Sequence, residues 1–383
     1  MSDVTLEQLR RYAIDRTFFT PTTLRRAIHE LGFLQADPIR APARAQDLTL
    51  RQRVKNYRAG ELERRYAELG IEEDFLVNYG FVPLEHYELM HPRGVDGRGT
   101  TWDRAQRLQA AKVLRFVRAS GTVHPRAVEE QFALGSVTNY WGGSSSATTH
   151  LLDGMHYRGL LRVVRRDQGV RVYAVAPARK PVRKLLEQQT RIDALIDVIV
   201  HTYAPLPRLS LNSLVSRLRY AVPQWREQIK PALARAHARL GHAKVDAVDW
   251  YWPVDDPHPP RPDRRLQAAP ERVRLLAPFD PLVWDRRRFE LFWGWAYRFE
   301  AYTPALKRKL GYYALPLLWR DRVIGWGNLA WQAGELSATF GYVDKRPDEP
   351  AFARALAEEL AHMRRFLGGD RDQLAPLDSD VTR

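Results

Sequence analysis

The 383-residue sequence contains no cysteine, and none of its stretches is long and apolar enough for a membrane-spanning helix. Without thiols the chain cannot form disulfides, thiolate zinc sites, iron–sulfur clusters or a cysteine nucleophile. A membrane span needs roughly 18–20 consecutive apolar residues. The first 16 residues carry charges every few positions and have no apolar core like that of a signal peptide. We therefore expect a cytoplasmic protein without membrane association.

Motifs for common cofactors are also missing from the sequence. No two histidines stand three or four residues apart, the spacing of a helical metal site, and there is no phosphate-binding P-loop. The glycines between positions 94 and 99 lack the flanking strand and helix of a dinucleotide site. The sequence thus predicts neither a metal nor any other cofactor.

Positive charge is in excess. Lys and Arg total 60 against 45 Asp and Glu, which gives a net charge of +15. Such an excess favours a polyanionic partner, because each Arg or Lys on a phosphate releases condensed counterions. On this interpretation the protein binds DNA and is nucleoid-associated. The competing explanation is a GC-rich genome that enriches arginine codons.

A short polar pair follows an amphipathic helix that the pattern predicts from Thr22 to Leu31. Gly32 can close that helix, because glycine tolerates a positive φ. Gln35 and Asp37 are two residues apart, so in an extended backbone both side chains project from the same face. Among nearby arginines, they could hold a water against a cationic or phosphate-bearing substrate. The alternative is structural: Asp37 caps a helix that begins near Pro38, and Gln35 is merely polar at an edge.

The Gln35-Ala36-Asp37 triplet resembles the Gln-apolar-Asp motif of the YcaQ/AlkZ-like winged-helix DNA glycosylases, which excise alkylated purines and unhook interstrand crosslinks. Three downstream strings resemble the same family in the same order: APFDPLVWDR at 277–286, EAYTPALKR at 300–308 and GYYALPLL at 311–318. The triplet alone has no specificity, whereas the strings together do. The resemblance extends from about residue 5 to residue 365.

The resemblance implies a monofunctional DNA N-glycosylase that removes cationic N7-alkylated purines. Such a base already carries positive charge and can leave without a general acid, so the enzyme must stabilise an oxocarbenium-like sugar and orient a water. A carboxylate meets both needs, which makes Asp37 the candidate catalytic residue, with Gln35 holding the water or the sugar face. Lyase chemistry would need a lysine for a Schiff base, and the nearest lysine in sequence is Lys55.

Arginines in two clusters are predicted to contact phosphates. One cluster follows Asp37, and the other lies in a predicted β-hairpin, the wing, which turns at 167–169. The predicted DNA-binding residues are Arg40, Arg44, Arg51, Arg53, Arg162, Arg165 and Arg166. The predicted partner is double-stranded DNA carrying alkylated purines, bound by a monomer.

The 277–286 string offers a second possible site, formed by Asp280, Trp284, Asp285 and Arg286. Asp280 and Asp285 are alternative functional carboxylates. Charges of this kind next to Arg286–Arg288 more often form a buried structural network.

The pattern predicts an α+β fold of tandem winged-helix (helix-turn-helix) units, followed by a small antiparallel β-sheet or barrel and a C-terminal helix. Residues 103–176 show the winged-helix order most regularly: helix, strand, helix, candidate recognition helix at Ala147–Tyr157, and hairpin. Such a unit can also pack only against protein. Three units are what the resemblance implies. The expected boundaries are 1–98 with the Gln-x-Asp motif, 99–180, 181–256, a β-rich domain at 271–368 and a disordered tail at 369–383.

Within the β-rich domain, four segments have strand-like patterns. They are 297–302, 312–319, 322–331 and 335–342, and a final amphipathic helix is expected at 348–366. A charged helical pattern is also expected within 39–57.

Two departures from the family leave the substrate range open. The family usually has a Trp-Ala-His-like string near 77–79, where this chain has Val77-Asn78-Tyr79. It also tends to carry Arg-x-Asp-x-Lys near 325–330, where this chain has Trp326, Asn328 and Ala330. Slower unhooking of crosslinks than release of monoadducts is therefore expected.

The alternative function is that of a non-enzymatic winged-helix transcriptional regulator. The basic charge and the helix–wing units fit a regulator as well as an enzyme. A regulator usually needs a dimer interface to bind a palindrome, and the sequence has no heptad run. The enzyme is therefore favoured, mainly by the resemblance.

Overall fold

The computed structural model describes residues 4–93, 102–138, 144–256, 260 and 270–369. Most of the interval between the expected boundaries at 256 and 271 lies outside the described residues, as does the predicted tail apart from Gly369. None of the helices in the described ranges combines the length and the apolar character that crossing a bilayer requires.

The helices, labelled in chain order, are α1 (Leu6–Thr17), α2 (Leu24–Leu31), α3 (Ala45–Leu50), α4 (Glu61–Arg64), α5 (Leu84–Met90), α6 (Arg104–Ser120), α7 (Pro125–Phe132), α8 (Ala147–Tyr157), α9 (Leu185–Tyr203), α10 (Arg208–Ser216), α11 (Leu218–Ala221), α12 (Ile229–Arg239), α13 (Pro281–Trp284), α14 (Arg286–Trp293) and α15 (Pro350–Leu367). Short 3-10 helices occur at Tyr66–Glu68, Pro223–Gln228 and Ala305–Lys307.

The strands are β1 (Leu34–Gln35), β2 (Ile71–Phe75), β3 (Tyr79–Pro83), β4 (Thr122–Val123), β5 (Ser136–Thr138), β6 (Ser144–Ser146), β7 (Leu161–Asp167), β8 (Val170–Val175), β9 (Leu206–Pro207), β10 (Gly241–Val245), β11 (Val248–Trp252), β12 (Val273–Leu275), β13 (Leu315–Trp319), β14 (Arg322–Gln332) and β15 (Glu335–Tyr342). The α+β class with small antiparallel sheets is therefore confirmed.

Contacts between residues divide the chain into two compact units. The first unit comprises Met1–Glu61, Val200–Asn212 and Arg239–Arg383, and the second comprises Leu62–Ile199 and Ser213–Ala238. Each unit thus combines segments that are distant in sequence.

A four-stranded antiparallel sheet organises the C-terminal part of the first unit, with the strand order β12-β13-β14-β15. Its register pairs Leu317 with Gly325 and Gly327 with Phe340. Helix α15 packs against β12 and buries Phe352 completely. The strands predicted at 312–319, 322–331 and 335–342 and the final helix are thus confirmed.

The second unit contains the element order predicted for residues 103–176. Helix α6, strand β4, helices α7 and α8, and the hairpin β7–β8 occur in that order, with the additional strand pair β5–β6 between α7 and α8, and the sheet order is β4-β8-β7. Asp103 and Gln106 form a capping box at the start of α6. The hairpin turns at Gln168-Gly169, which both have positive φ. In the first unit, the sheet β10-β11-β9 repeats this strand order.

Two predicted elements were wrong. Residues 297–302 form no strand but a turning segment whose rings are packed: Phe289 and Tyr297 have centroids 5.7 Å apart, and the Tyr297 hydroxyl donates to the Ala314 carbonyl at 2.7 Å. Only Ala45–Leu50 of the helical pattern within 39–57 is α-helical. In both places the sequence pattern arose from side chains that are buried. It did not indicate a regular strand at 297–302 or a long helix within 39–57.

Candidate active site

Gln35 and Asp37 lie in a short segment that leaves helix α2. Gly32 ends the helix with φ 72° and donates its N–H to the Ile28 carbonyl at 3.0 Å, which confirms the predicted stop. Phe33 is buried and anchors the segment in the apolar interior. Both polar side chains are buried as a result, with Gln35 5% and Asp37 7% exposed.

A hydrogen bond fixes the orientation of the Gln35 amide. Trp284 Nε1 lies 2.6 Å from Gln35 Oε1. An indole N–H can only donate, so the amide oxygen must face Trp284 and the amide NH₂ remains the donor end. The structure thus joins two sequence-predicted site residues that are 249 positions apart.

The Asp37 carboxylate holds the loop that follows it. Its Oδ1 accepts the Ile39 backbone N–H at 2.8 Å, while the Asp37 backbone N–H donates to Gln46 Oε1 at 3.1 Å. No helix begins near Pro38, since α3 starts only at Ala45. The helix-capping alternative for Asp37 was therefore wrong.

Burial changes the chemistry of the Asp37 carboxylate. Loss of solvent raises the pKa of Asp37 above its ordinary value, and the hydrogen bond from Ile39 offsets only part of that rise. A carboxylate with a raised pKa is a stronger base than an exposed one.

Two tyrosines from the family-like strings, Tyr302 and Tyr313, lie in the electrostatic neighbourhood of Asp37, and Tyr312 interacts with both of them. Burial, followed by the Asp37 charge, raises the pKa of both Tyr302 and Tyr313. Tyr302 is 80% exposed, Tyr312 is exposed, and Tyr313 is buried. None of these tyrosines was predicted as a site residue, although their occurrence in the matching strings was a signal.

A cavity of about 590 Å³ is lined by two of these tyrosines and by the loop that follows Asp37. Arg40 and Pro42, from the loop that begins at Asp37, form one side, and Tyr312, Tyr313 and residues of β14 and β15 line the remainder. In the part of the chain that the structure describes, no cluster of three His, Asp or Glu side chains is arranged to hold a metal ion.

Two of the arginines predicted to bind DNA are buried structural residues instead. Arg51 pairs with Glu359 and donates to the Leu275 carbonyl at 3.0 Å. Arg53 forms a two-pronged ion pair with Asp280, with N–O distances of 2.8 and 3.0 Å. Because a buried guanidinium needs partners inside the protein, the phosphate contacts predicted for Arg51 and Arg53 are wrong.

The other arginines near the motif differ in exposure. Arg40 is exposed at the cavity, whereas Arg44 is buried at the N-cap position of α3. Of the two, Arg40 is therefore the one whose guanidinium a phosphate could reach.

The arginines of the β7–β8 hairpin in the second unit each lie beside a carboxylate. Arg162 lies 2.5 Å from Glu72, and Arg166 binds both carboxylate oxygens of Glu73 at 2.7 and 2.5 Å. Arg165 binds Asp167 at 3.0 Å and is half exposed. Arg165 is thus the most accessible of the three, while Arg166 is fixed by its ion pair.

The carboxylates of the 277–286 string are structural. Asp280 binds Arg53 and accepts the Leu282 N–H at 3.0 Å, which caps α13. Asp285 caps α14 through the backbone N–H groups of residues 287 and 288. Arg286 donates to the carbonyls of residues 283 and 278, at 2.6 and 2.9 Å. The network expected for these charges exists, but the partner of Asp280 is Arg53 rather than Arg286–Arg288.

The positions that depart from the family have packing roles here. Trp326 stacks on Trp295 with a centroid distance of 5.7 Å, and Asn328 Nδ2 donates to the Leu310 carbonyl at 2.8 Å. In the second unit, Asn78 Oδ1 accepts the Tyr79 backbone N–H at 2.9 Å.

Comparison with known proteins places these motifs in one family. The family model described as DNA glycosylase AlkZ-like matches residues 28–366, which include the Gln-x-Asp triplet and all three downstream strings. Streptomyces sahachiroi DNA glycosylase AlkZ has a similar structure, with a TM-score of 0.62 and 14% identity over 100% of both chains. At that identity the likeness concerns the fold, whereas the family match concerns the sequence itself. The chain belongs to the AlkZ-like DNA glycosylase family.

Proposed function

We propose that this DNA glycosylase hydrolyses the N-glycosidic bond of cationic N7-alkylated purines in duplex DNA. The observation that carries the proposal is the buried Asp37 carboxylate beside Gln35, whose amide is oriented by Trp284. The loop that begins at Asp37 lines an open cavity through Arg40 and Pro42. A buried negative charge in that loop is suited to a substrate that develops positive charge.

The enzyme needs to do little to activate the leaving group. An N7-alkylated purine leaves as a neutral base when the C1′–N9 bond breaks and its electron pair moves to N9. The sugar becomes oxocarbenium-like, and the Asp37 charge stabilises it. Water then forms the new bond to C1′ and gives its proton to Asp37.

Gln35 contributes donors rather than an acceptor. Because its oxygen is bound to Trp284, its NH₂ group is free in orientation to donate to a water or to a sugar oxygen. The reaction is proposed to be monofunctional hydrolysis, since no lysine stands near Asp37 in sequence to form a Schiff base.

Duplex DNA is the proposed partner, and Arg40 and Arg165 are the proposed phosphate contacts. Both guanidinium groups are accessible, Arg40 at the cavity and Arg165 on the hairpin of the second unit. A lesion selected by its own charge does not require a close-fitting base pocket. Crosslinked adducts are therefore proposed as substrates too, released more slowly than monoadducts.

The test uses one duplex sequence carrying N7-methylguanine, an N7–N7 crosslink or uracil, scored for abasic sites. Release of N7-methylguanine, slower unhooking of the crosslink and no release of uracil are expected. Uracil release at a comparable rate would contradict the leaving-group argument. No release from any of the three would contradict the proposed substrate class.

A further inference from the structure

Tyr313 carries a buried hydroxyl that the fold does not use. Its ring is 3% exposed and packs edge-on against Phe299, with centroids 5.3 Å apart. Among the described residues, the hydroxyl has no hydrogen-bond partner. Nearby Tyr297, in contrast, donates to the Ala314 carbonyl at 2.7 Å. A buried polar group without a partner is costly, which suggests that the partner of Tyr313 arrives with the substrate.

The position of Tyr313 connects it with the proposed reaction. It lines the 590 Å³ cavity together with Arg40 and Pro42, which follow Asp37 in the same loop. Burial raises the pKa of Tyr313, and the Asp37 charge raises it further. The phenol therefore stays protonated at neutral pH. Its hydroxyl can donate a hydrogen bond, which the Asp37 carboxylate cannot do.

We propose that Tyr313 is a positioning residue of the glycosylase reaction, whose phenolic O–H donates a hydrogen bond to the water that Asp37 deprotonates. The inference rests on the proposed function. The water uses one lone pair to accept from Tyr313 and directs the other at C1′. One of its O–H groups points at Asp37, which takes the proton as the new bond to C1′ forms.

The experiment is Tyr313→Phe, which removes the hydroxyl and keeps the ring. The rate constant for release of N7-methylguanine under single turnover should fall roughly 10- to 100-fold, since misplacing a reactant by about 1 Å can cost 10²-fold. The affinity for DNA should not change and the unfolding midpoint should not fall, because the hydroxyl has no bond in the protein to lose. Tyr87→Phe, at another buried hydroxyl without a partner in the described residues, is the matched control and should leave the rate unchanged.

The pH dependence separates positioning from packing. A donor to the water indirectly stabilises the ionised Asp37 carboxylate, so its loss should move the acidic limb of the pH–rate profile to higher pH. A double-mutant cycle with Asp37→Asn gives a second criterion, because residues that act on the same water are not additive. Tyr313→Phe should therefore add little to the loss caused by Asp37→Asn.

Three results would overturn the inference. They are a wild-type rate in Tyr313→Phe, a rate loss that appears only together with a lower unfolding midpoint, and fully multiplicative losses in the double variant. If the wild-type protein releases base and Asp37→Asn does not, such a result contradicts the role of Tyr313 alone. If the wild-type protein releases no N7-methylguanine, the proposed function fails and this inference fails with it.

Discussion

Replacing Asp37 by asparagine removes a negative charge and leaves the shape of the side chain almost unchanged. The carboxamide oxygen can still accept the Ile39 N–H, which lies 2.8 Å from the carboxylate. The bond from the Asp37 backbone to Gln46 does not involve the side chain of residue 37 and is retained. The variant therefore tests the charge and the basicity of Asp37 rather than the conformation of the loop.

The expected loss of activity is large. A general base contributes about 10²- to 10⁴-fold, and loss of electrostatic stabilisation of the developing sugar cation adds to it. We expect single-turnover release of N7-methylguanine to fall by roughly 10³- to 10⁴-fold, which corresponds to about 4–5.5 kcal/mol of transition-state stabilisation. The affinity for the same duplex should change little, since a carboxylate does not bind phosphate.

Although Asp37→Asn should lose activity, it should gain stability relative to the wild type as pH rises. Because burial raises the pKa of Asp37, the folded state holds that proton more tightly than the unfolded state. The stabilising contribution of the protonated form is present at low pH and is lost as pH rises from the ordinary Asp pKa through the raised one. Asparagine does not titrate, so the variant should gain stability relative to the wild type as pH rises through this window. Exchange of a charge-assisted hydrogen bond for a neutral one costs about 1 kcal/mol.

Abasic-site formation, DNA affinity and urea denaturation of the same preparations distinguish the possibilities. Asp344→Asn, which makes the same chemical change at an exposed carboxylate, should behave like the wild type. Release of N7-methylguanine by Asp37→Asn at the wild-type rate would refute the mechanism. A loss of activity that accompanies a loss of several kcal/mol of stability would instead show that Asp37 is structural.

Three further measurements test individual charged or titratable side chains. The double variant Arg40→Gln/Arg165→Gln should reduce the slope of log K against log salt by about 2, at roughly 0.9 per phosphate contact, and an unchanged slope would exclude both as contacts. Arg51→Ala should lower the free energy of unfolding by about 3–5 kcal/mol in urea titrations, because it leaves Glu359 buried without its main partner, and a change below 1 kcal/mol would contradict this. Burial and Arg93 lower the pKa of His91 to about 4. The wild type should therefore lose stability as pH falls from about 6.5 towards 4, where only the unfolded histidine takes up a proton, and His91→Gln should lose part of that dependence.

The elements predicted best from the sequence are those whose determinants are local. Helix α8 has the predicted bounds, Ala147–Tyr157, and α7 (Pro125–Phe132) follows the strand β4 in the predicted order. Proline occupies the first turn of α7, and Ser146 caps α8 through its side chain. The β7–β8 hairpin turns at a glycine with positive φ, as predicted. Each of these signals lies within a few residues of the feature that it determines.

The strand predicted at 297–302 failed because a strand needs a partner and a packed segment does not. Two aromatic residues in this stretch contact other rings rather than a neighbouring strand: Tyr297 contacts Phe289, and Phe299 contacts Tyr313. A sequence pattern registers that these side chains are apolar. It contains no information on whether an adjacent strand is available to accept their backbone hydrogen bonds.

The arginines after Asp37 show the same limit for charges. Arg40, Arg51 and Arg53 look alike in sequence, yet the first is exposed and the other two are buried. The carboxylates that decide the matter are distant, with Glu359 308 positions from Arg51 and Asp280 227 positions from Arg53. Because the sequence does not reveal those partners, an arginine near a candidate site is predicted to bind phosphate.

Arg53 is buried and is not a phosphate contact, but it supports the candidate site. Arg53 holds Asp280, and Asp280 caps the one-turn helix α13, whose last residue is Trp284. Trp284 in turn donates to Gln35, which lies on the same chain segment as Arg53. These contacts close a ring between the Gln-x-Asp triplet and the 277–286 string. Two of the motifs that carry the family resemblance, the triplet and the 277–286 string, are thus parts of one support, in which Trp284 of the string orients the Gln35 amide.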